Sequence, residues 1–258
     1  MFMTLLELGS FALSISMASA AGLVGCFAVM RRMTLAADAI SHVALPGIGV
    51  ALLFHFQPVA GALAMLLFGT VLIWGIEERT RISTETIVGV VFSVALAIGS
   101  LMASGEELIE ALFGAPGIPT GWETALGLIG AATVIIFILR ARNSLVVSLV
   151  SADIALTSGI NVARLNLLYL LAFALTVALG LRYLGVLLMG SLIIIPAATA
   201  RRLARNLNGM LAISVAIAVI STVVGNYAAS LIHRDTGPLI ITSAGAIFFL
   251  ALLKRQPQ

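Results

Sequence analysis

Residues 8–30 read LGSFALSISMASAAGLVGCFAVM, without a charged side chain until Arg31-Arg32. A helix that crosses a bilayer needs about 20 mostly apolar residues, and this run supplies them. A strand of a membrane barrel would alternate apolar and polar residues in segments of roughly ten, and this run is continuous. In hydrocarbon every backbone N–H and C=O has to be bonded within its own segment, so the run is read as a helix. Ala18-Ser19-Ala20 has the small-residue spacing of a leader cleavage site. Yet Glu7 and no positive charge precedes the run, and the apolar stretch continues past Ala20. It is therefore expected to be a retained span.

The same pattern repeats along the chain. Charges separate nine apolar stretches, at 8–30, 34–56, 58–76, 84–103, 121–139, 165–181, 184–200, 209–231 and 238–253. The 258 residues are 61% hydrophobic and 10% charged, whereas a soluble domain is about half apolar and about a quarter charged. A soluble fold cannot hide that much apolar surface. Soluble enzymes, nucleic-acid binders and secreted disulfide scaffolds are excluded. The expected fold is all-α, a single polytopic membrane domain over 1–258 with eight to nine transmembrane helices. The net charge of +3 does not point to nucleic acid, because basic residues in such a chain report orientation. Cys26, the single cysteine, sits in an apolar run and forms no disulfide.

Numbering the loops alternately sorts the basic residues. One set holds Arg31, Arg32, Arg79, Arg81, Arg140, Arg142, Arg164, Arg201, Arg202, Arg205, Lys254 and Arg255; the other holds Arg182 and Arg234. Cytoplasmic loops carry the excess of Lys and Arg. The N-terminus is therefore expected outside and the C-terminus in the cytoplasm. The asymmetry also favours 165–181 and 184–200 as two spans rather than one bent hairpin.

Two connections exceed a turn. Residues 104–120, expected outside, contain Glu106, Glu107 and Glu110 and then Gly114, Pro116, Gly117 and Pro119. This reads as a short acidic helix with a breaker, its acids either raising local cation concentration or lining a solvated face. Residues 141–164, expected in the cytoplasm, contain an N-cap in Ser151, a first-turn acid in Asp153 and a stop in Gly159. They fit a short helix at the membrane face or a plain connector. Small residues four apart, Ala18 with Gly22, Ala21 with Gly25 and Gly225 with Ala229, suit close helix packing.

An ionisable residue inside a span is costly and so a functional candidate. Asp38 and His42 stand four apart, on one helix face. If the helix starts near Thr34, His42 lies roughly 12 Å in. A carboxylate and an imidazole so spaced can grip a divalent cation such as zinc or manganese. Pro46, Gly47 and Gly49 weaken the helix just beyond, as where broken helices surround a midplane site. Two other readings stand beside this one: a neutral His42 bonded to Asp38 to fix a helix contact, or Asp38 as a capping acid. Two ligands do not complete a zinc site, so water, other helices or a second copy of the chain would have to contribute. His55 and His233 lie at the outer ends of spans, either to receive a cation or as interfacial residues. No His-Glu-x-x-His occurs, and Gly190-Ser191 has no partner base. The only lysine, Lys254, is followed by Arg255, so no Walker A loop exists and ATP-driven work requires another subunit.

Several segments together resemble a known family. Arg31-Arg32-Met33 through Asp38-x-x-x-His42 to Pro46-Gly47 resembles the membrane permeases of metal-ion ABC importers, the zinc, manganese and iron group called ABC-3. Leu184-Gly185-Val186-Leu187-Leu188 and Leu192 to Pro196 and on to Arg201-Arg202 resemble its second characteristic segment. Asp153 to Arg164, DIALTSGINVAR, resembles the cytoplasmic segment that docks on the ATPase, and Asp235-Thr-Gly237-Pro238 resembles the last external turn. The C-terminal Leu-Lys254-Arg255 looks closest to the zinc-uptake branch. The resemblance implies a homodimeric permease of the cobalamin-importer-like, type II fold. It implies an ATP-binding cassette subunit and an extracytoplasmic metal-binding protein as partners. Asp38 and His42 occupy the positions of the family's metal-coordinating pair. Asp153, Ile154, Ala155, Thr157 and Gly159 lie in the ATPase-coupling segment. Where some zinc permeases carry a histidine in the fourth span, this chain has Phe92-Ser93. The implied chain is no enzyme, holds no permanent cofactor and passes Zn2+ or Mn2+ as cargo. The alternative class is a metal- or proton-coupled secondary carrier working without an ATPase, although no inverted repeat is evident and the 151–164 segment has no purpose in it.

Overall fold

A computed structural model of the chain describes residues 5–34, 36–80, 82–102, 120–183 and 186–253, with side chains for all of these except 5–7, 37, 38, 182, 183, 186 and 187. In chain order the helices are α1 (Leu5–Met30), α2 (Ala36–His42), α3 (Leu45–Leu53), α4 (Pro58–Arg79) and α5 (Thr84–Met102). They continue with α6 (Gly121–Val150), α7 (Ala152–Thr157), α8 (Val162–Tyr183), α9 (Val186–Leu203), α10 (Leu207–Ile232) and α11 (Thr236–Leu253). No strand occurs among the described residues. Among the described residues, seven helical stretches are long and apolar enough to cross a membrane: they lie in α1, α4, α5, α6, α8, α10 and α11.

α1 is the axis. It packs against α6, α8, α9 and α10 and is enclosed on most sides, as its uniformly apolar sequence requires. The close approaches rest on small residues. A Cβ added at Gly25 would meet the Ile193 carbonyl oxygen of α9 at 1.9 Å, and one at Gly22 the Ser214 carbonyl of α10 at 3.1 Å. At Gly225 it would meet the Ile240 Cα of α11 at 2.6 Å. The small-residue pairs noted in the sequence are thus the contact points of the bundle. α4, α5 and the α2–α3 segment form a second group, joined to the first through α8 and α9. Outward-facing Val90, Val94, Ile98, Leu126 and Ile129 are exposed, as lipid-facing side chains must be.

Two expectations change. The run 121–139 is not followed by a loop at 140: α6 continues to Val150, because ARNSLVVSLV contains neither glycine nor proline to stop it. The run 34–56 is not one helix but two, α2 and α3, neither long enough to span.

Candidate functional site

The break between α2 and α3 follows from Pro46. Proline lacks an N–H and is least costly in the first turn of a helix; Pro46 takes that place in α3, which begins at Leu45 after α2 has ended. Val43 N–H donates to Ile40 O at 3.0 Å and Ala44 N–H to Ser41 O at 3.4 Å, the tight three-residue spacing of a terminating turn. The glycines serve packing as well. A Cβ on Gly47 would lie 2.2 Å from Gly61 O on α4, and one on Gly49 would lie 2.9 Å from Met102 Cβ on α5. Short α3 is thereby held backbone to backbone.

His42 occupies the last turn of α2 and is half-buried. Its ring leans on Phe92 of α5, centroids 5.5 Å apart and planes at 56°. Asp38 stands one turn earlier in the same helix. Since α2 starts at Ala36, His42 lies about 9 Å along it, less than the sequence spacing predicts. α2 is packed among α5, α8 and α9. Among the described residues no group of three or more His, Cys, Asp or Glu converges on one point. His55 and His233 are exposed, each in a left-handed turn (φ 54° and 52°) after α3 and at the end of α10. Phe92, at the position where the resemblance leaves a third ligand unassigned, instead packs the imidazole. Ser93 is exposed and donates to Gly89 O at 2.9 Å. Glu106, Glu107 and Glu110 lie outside the described residues, as do Lys254 and Arg255.

The 151–164 segment forms the expected short helix. The Ser151 hydroxyl accepts from Ile154 N–H at 3.3 Å, capping α7, and Asp153 sits in the first turn. Gly159 is left-handed (φ 76°) and donates to Leu156 O at 3.0 Å, while Ile160 N–H donates to Ala155 O at 2.9 Å. That closes the helix in the manner of a glycine C-cap. Ala155 is buried and fixes α7 against the bundle; Asp153, Ile154, Leu156 and Thr157 face outward.

Sequence reasoning missed a polar knot at the arginine-rich end. Arg31, just beyond α1, donates to Asn166 Oδ1 on α8. Asn166 Nδ2 donates to Glu77 Oε2 on α4 at 2.7 Å, and Thr84, opening α5, donates to Glu77 Oε1. The Arg31 guanidinium stacks over Tyr169, 4.4 Å from its centroid, and Tyr169 donates to Val24 O at 3.2 Å. Trp74 Nε1 donates to Ala163 O at 3.0 Å. Burial pulls the Arg31 guanidinium below its usual value, against the opposing pull of Tyr169 and Glu77. The available signal was a lone asparagine in the apolar run after Arg164. Glu77 was hidden among Glu78, Arg79 and Arg81, where it reads as loop charge.

The chain matches the ABC 3 transport family over residues 5–255. It is 29% identical to the high-affinity zinc uptake system membrane protein ZnuB of Haemophilus influenzae, over 90% of this chain and 91% of that one. It is 28% identical to the manganese transport system membrane protein MntC of Listeria monocytogenes, over 93% and 87%. Its fold resembles a chain of PsaBC from Streptococcus pneumoniae, solved in complex with Fab, with a TM-score of 0.80, 24% identity and coverage of 96% and 91%.

Proposed function

The chain belongs to the ABC 3 transport family, and on that premise we propose that it is the permease subunit of an importer that carries a divalent transition-metal ion into the cytoplasm. Zinc is the first candidate and manganese the second. The observation that carries this reading is the broken α2–α3 segment, with Asp38 and His42 on one face of a short helix inside the bundle. A carboxylate and a neutral imidazole suit both ions. A transported ion has to leave, so a site that takes only part of its shell from fixed side chains suits cargo. Water or backbone carbonyls at the end of α2 would complete its shell.

The rest of the assembly follows. ATP is hydrolysed on a separate cassette subunit, into which α7 docks through Asp153, Ile154, Thr157 and the Gly159 turn, with Ala155 holding α7 on the permease. Two copies of the chain form the pathway, in the type II arrangement with eight to nine spans. An extracytoplasmic metal-binding protein delivers the ion to the end bearing His55, His233 and the 104–120 segment. The N-terminus lies outside and the C-terminus in the cytoplasm.

Reconstitution tests this. The chain in liposomes with a cassette ATPase and a metal-loaded donor protein is expected to accumulate Zn2+ or Mn2+ only with ATP. Equal accumulation by the chain alone would establish a secondary carrier instead.

A further inference from the structure

The arginine-rich end contains a second cleft, apart from α2 and apart from the Arg31 knot. It has a volume of about 410 Å³ and lies among the ends of α1, α6, α9 and α10. Arg201, Arg205 and Asn206 supply its polar wall; Met30, Val146 and Met210 supply apolar wall; among the described residues no carboxylate lines it. Arg201 donates to Val29 O at 3.2 Å, which fixes the guanidinium beside the cleft. Arg205 follows in the bend after α9 and lines the same cleft, and among the described residues no hydrogen bond or ion pair engages it. Asn206 caps the 26-residue α10, accepting from Gly209 N–H at 2.7 Å. The open N–H groups of that first turn therefore lie at the cleft. A third guanidinium, Arg142 of α6, donates to Asn208 Oδ1 at 2.9 Å and adds positive charge at the same helix start.

We propose that this cleft binds the phosphate of an anionic phospholipid from the leaflet at the arginine-rich end. Uncompensated guanidiniums and a helix N-terminus converge on it, and both favour a phosphate oxyanion. A soluble phosphate shares that chemistry. The apolar half of the wall and the position at the ends of α1, α6 and α10, three membrane-length helices, favour a lipid, whose acyl chains need such a surface. Basic pockets between transmembrane helices hold anionic headgroups in this way. The site is independent of the transport reading and of which ion is carried.

The test uses the full chain in nanodiscs of mixed phosphatidylglycerol and phosphatidylcholine, with retained lipid counted by native mass spectrometry. Wild type is expected to keep phosphatidylglycerol in preference to phosphatidylcholine. Arg205→Gln should lower that retention about fivefold, the effect of one basic residue near a charged surface. Arg205→Lys should keep most of it, and Arg234→Gln, at the opposite end, should keep all of it. Unchanged thermal unfolding of Arg205→Gln would show that the loss is not misfolding. Equal retention by wild type and Arg205→Gln, or no preference over phosphatidylcholine, overturns the proposal. Displacement of the lipid by millimolar inorganic phosphate would assign the cleft to soluble anions and overturn it as well.

Discussion

His42 is held from one side by an aromatic ring and stands one turn after an acid, on a helix too short to persist without its neighbours. If the pair grips cargo, Asp38→Ala and His42→Ala should each abolish metal uptake at normal membrane abundance; wild-type uptake by either would remove it from the pathway. Glycine contacts give a prediction that does not depend on cargo. A Cβ at Gly25 would lie 1.9 Å from a backbone oxygen that has no rotamer to escape into. Gly25→Ala is expected to cost about 1–3 kcal/mol, the range for overpacking. Gly245→Ala, with nothing within 4 Å, should be neutral or slightly stabilising. Unfolding in mixed micelles would compare the two, and equal effects would contradict the packing. At this scale the sequence singles out Asp38 and His42 as candidates because a four-residue spacing is a local property. It could not disclose Phe92 against His42, or Asn166 against Glu77, because those pairs exist only once separate helices meet.

α7 is legible in the amino-acid sequence alone, since its three signals all act within a turn: the Ser151 cap, the Asp153 first-turn acid and the Gly159 stop. The length of α6 is not, because the double arginine at 140 and 142 resembles a loop boundary while the backbone sees no breaker. Gly159→Ala places a Cβ in the left-handed region, at a cost of about 1–2 kcal/mol. If α7 docks into a cassette subunit, that variant and the pair Ile154→Asp with Leu156→Asp should lower ATPase co-purification while leaving the permease in the membrane. Cysteines at Asp153 or Thr157 should cross-link to the ATPase. Undiminished co-purification of both variants would take α7 out of the interface.

The arginines tie the molecule together at one end. Arg31 reaches Asn166, Arg201 reaches Val29 O, Arg142 reaches Asn208, and Arg202 donates to Ala251 O and Leu252 O at 3.1 and 3.0 Å. Guanidiniums on helix-terminal carbonyls also complement the helix dipoles. Glu77→Ala removes the acceptor for both Asn166 and Thr84 and should destabilise the fold by about 1.5–3 kcal/mol, the range for bonds to a charged group. Glu77→Gln should retain part of that. The proposed orientation is checked with single cysteines: impermeant reagents added outside whole cells should label positions 55 and 233 and spare 157 and 164. The reverse pattern would invert the orientation. The alternating charge made the grouping of these ends readable from sequence. That they are knitted by specific bonds was not, since each bond joins residues far apart in the chain.

The interruption at Val43-Ala44 also bears on how the chain enters the bilayer during synthesis. α2 has seven residues and α3 nine, together about 24 Å of helix, short of a hydrocarbon core of about 30 Å. Asp38 adds a further penalty of about 2.5–3.5 kcal/mol if it meets lipid at the centre of a helix. Such a segment cannot partition from the translocon by itself; α4, whose Gly61 packs on Gly47, has to accompany it as a hairpin. Nascent chains truncated after Leu53 should therefore leave residues 36–53 extractable by alkaline carbonate when fused behind a soluble leader domain. Chains carried through Arg79 should resist extraction. Stable integration of the shorter fusion would show that the two half-helices insert unaided.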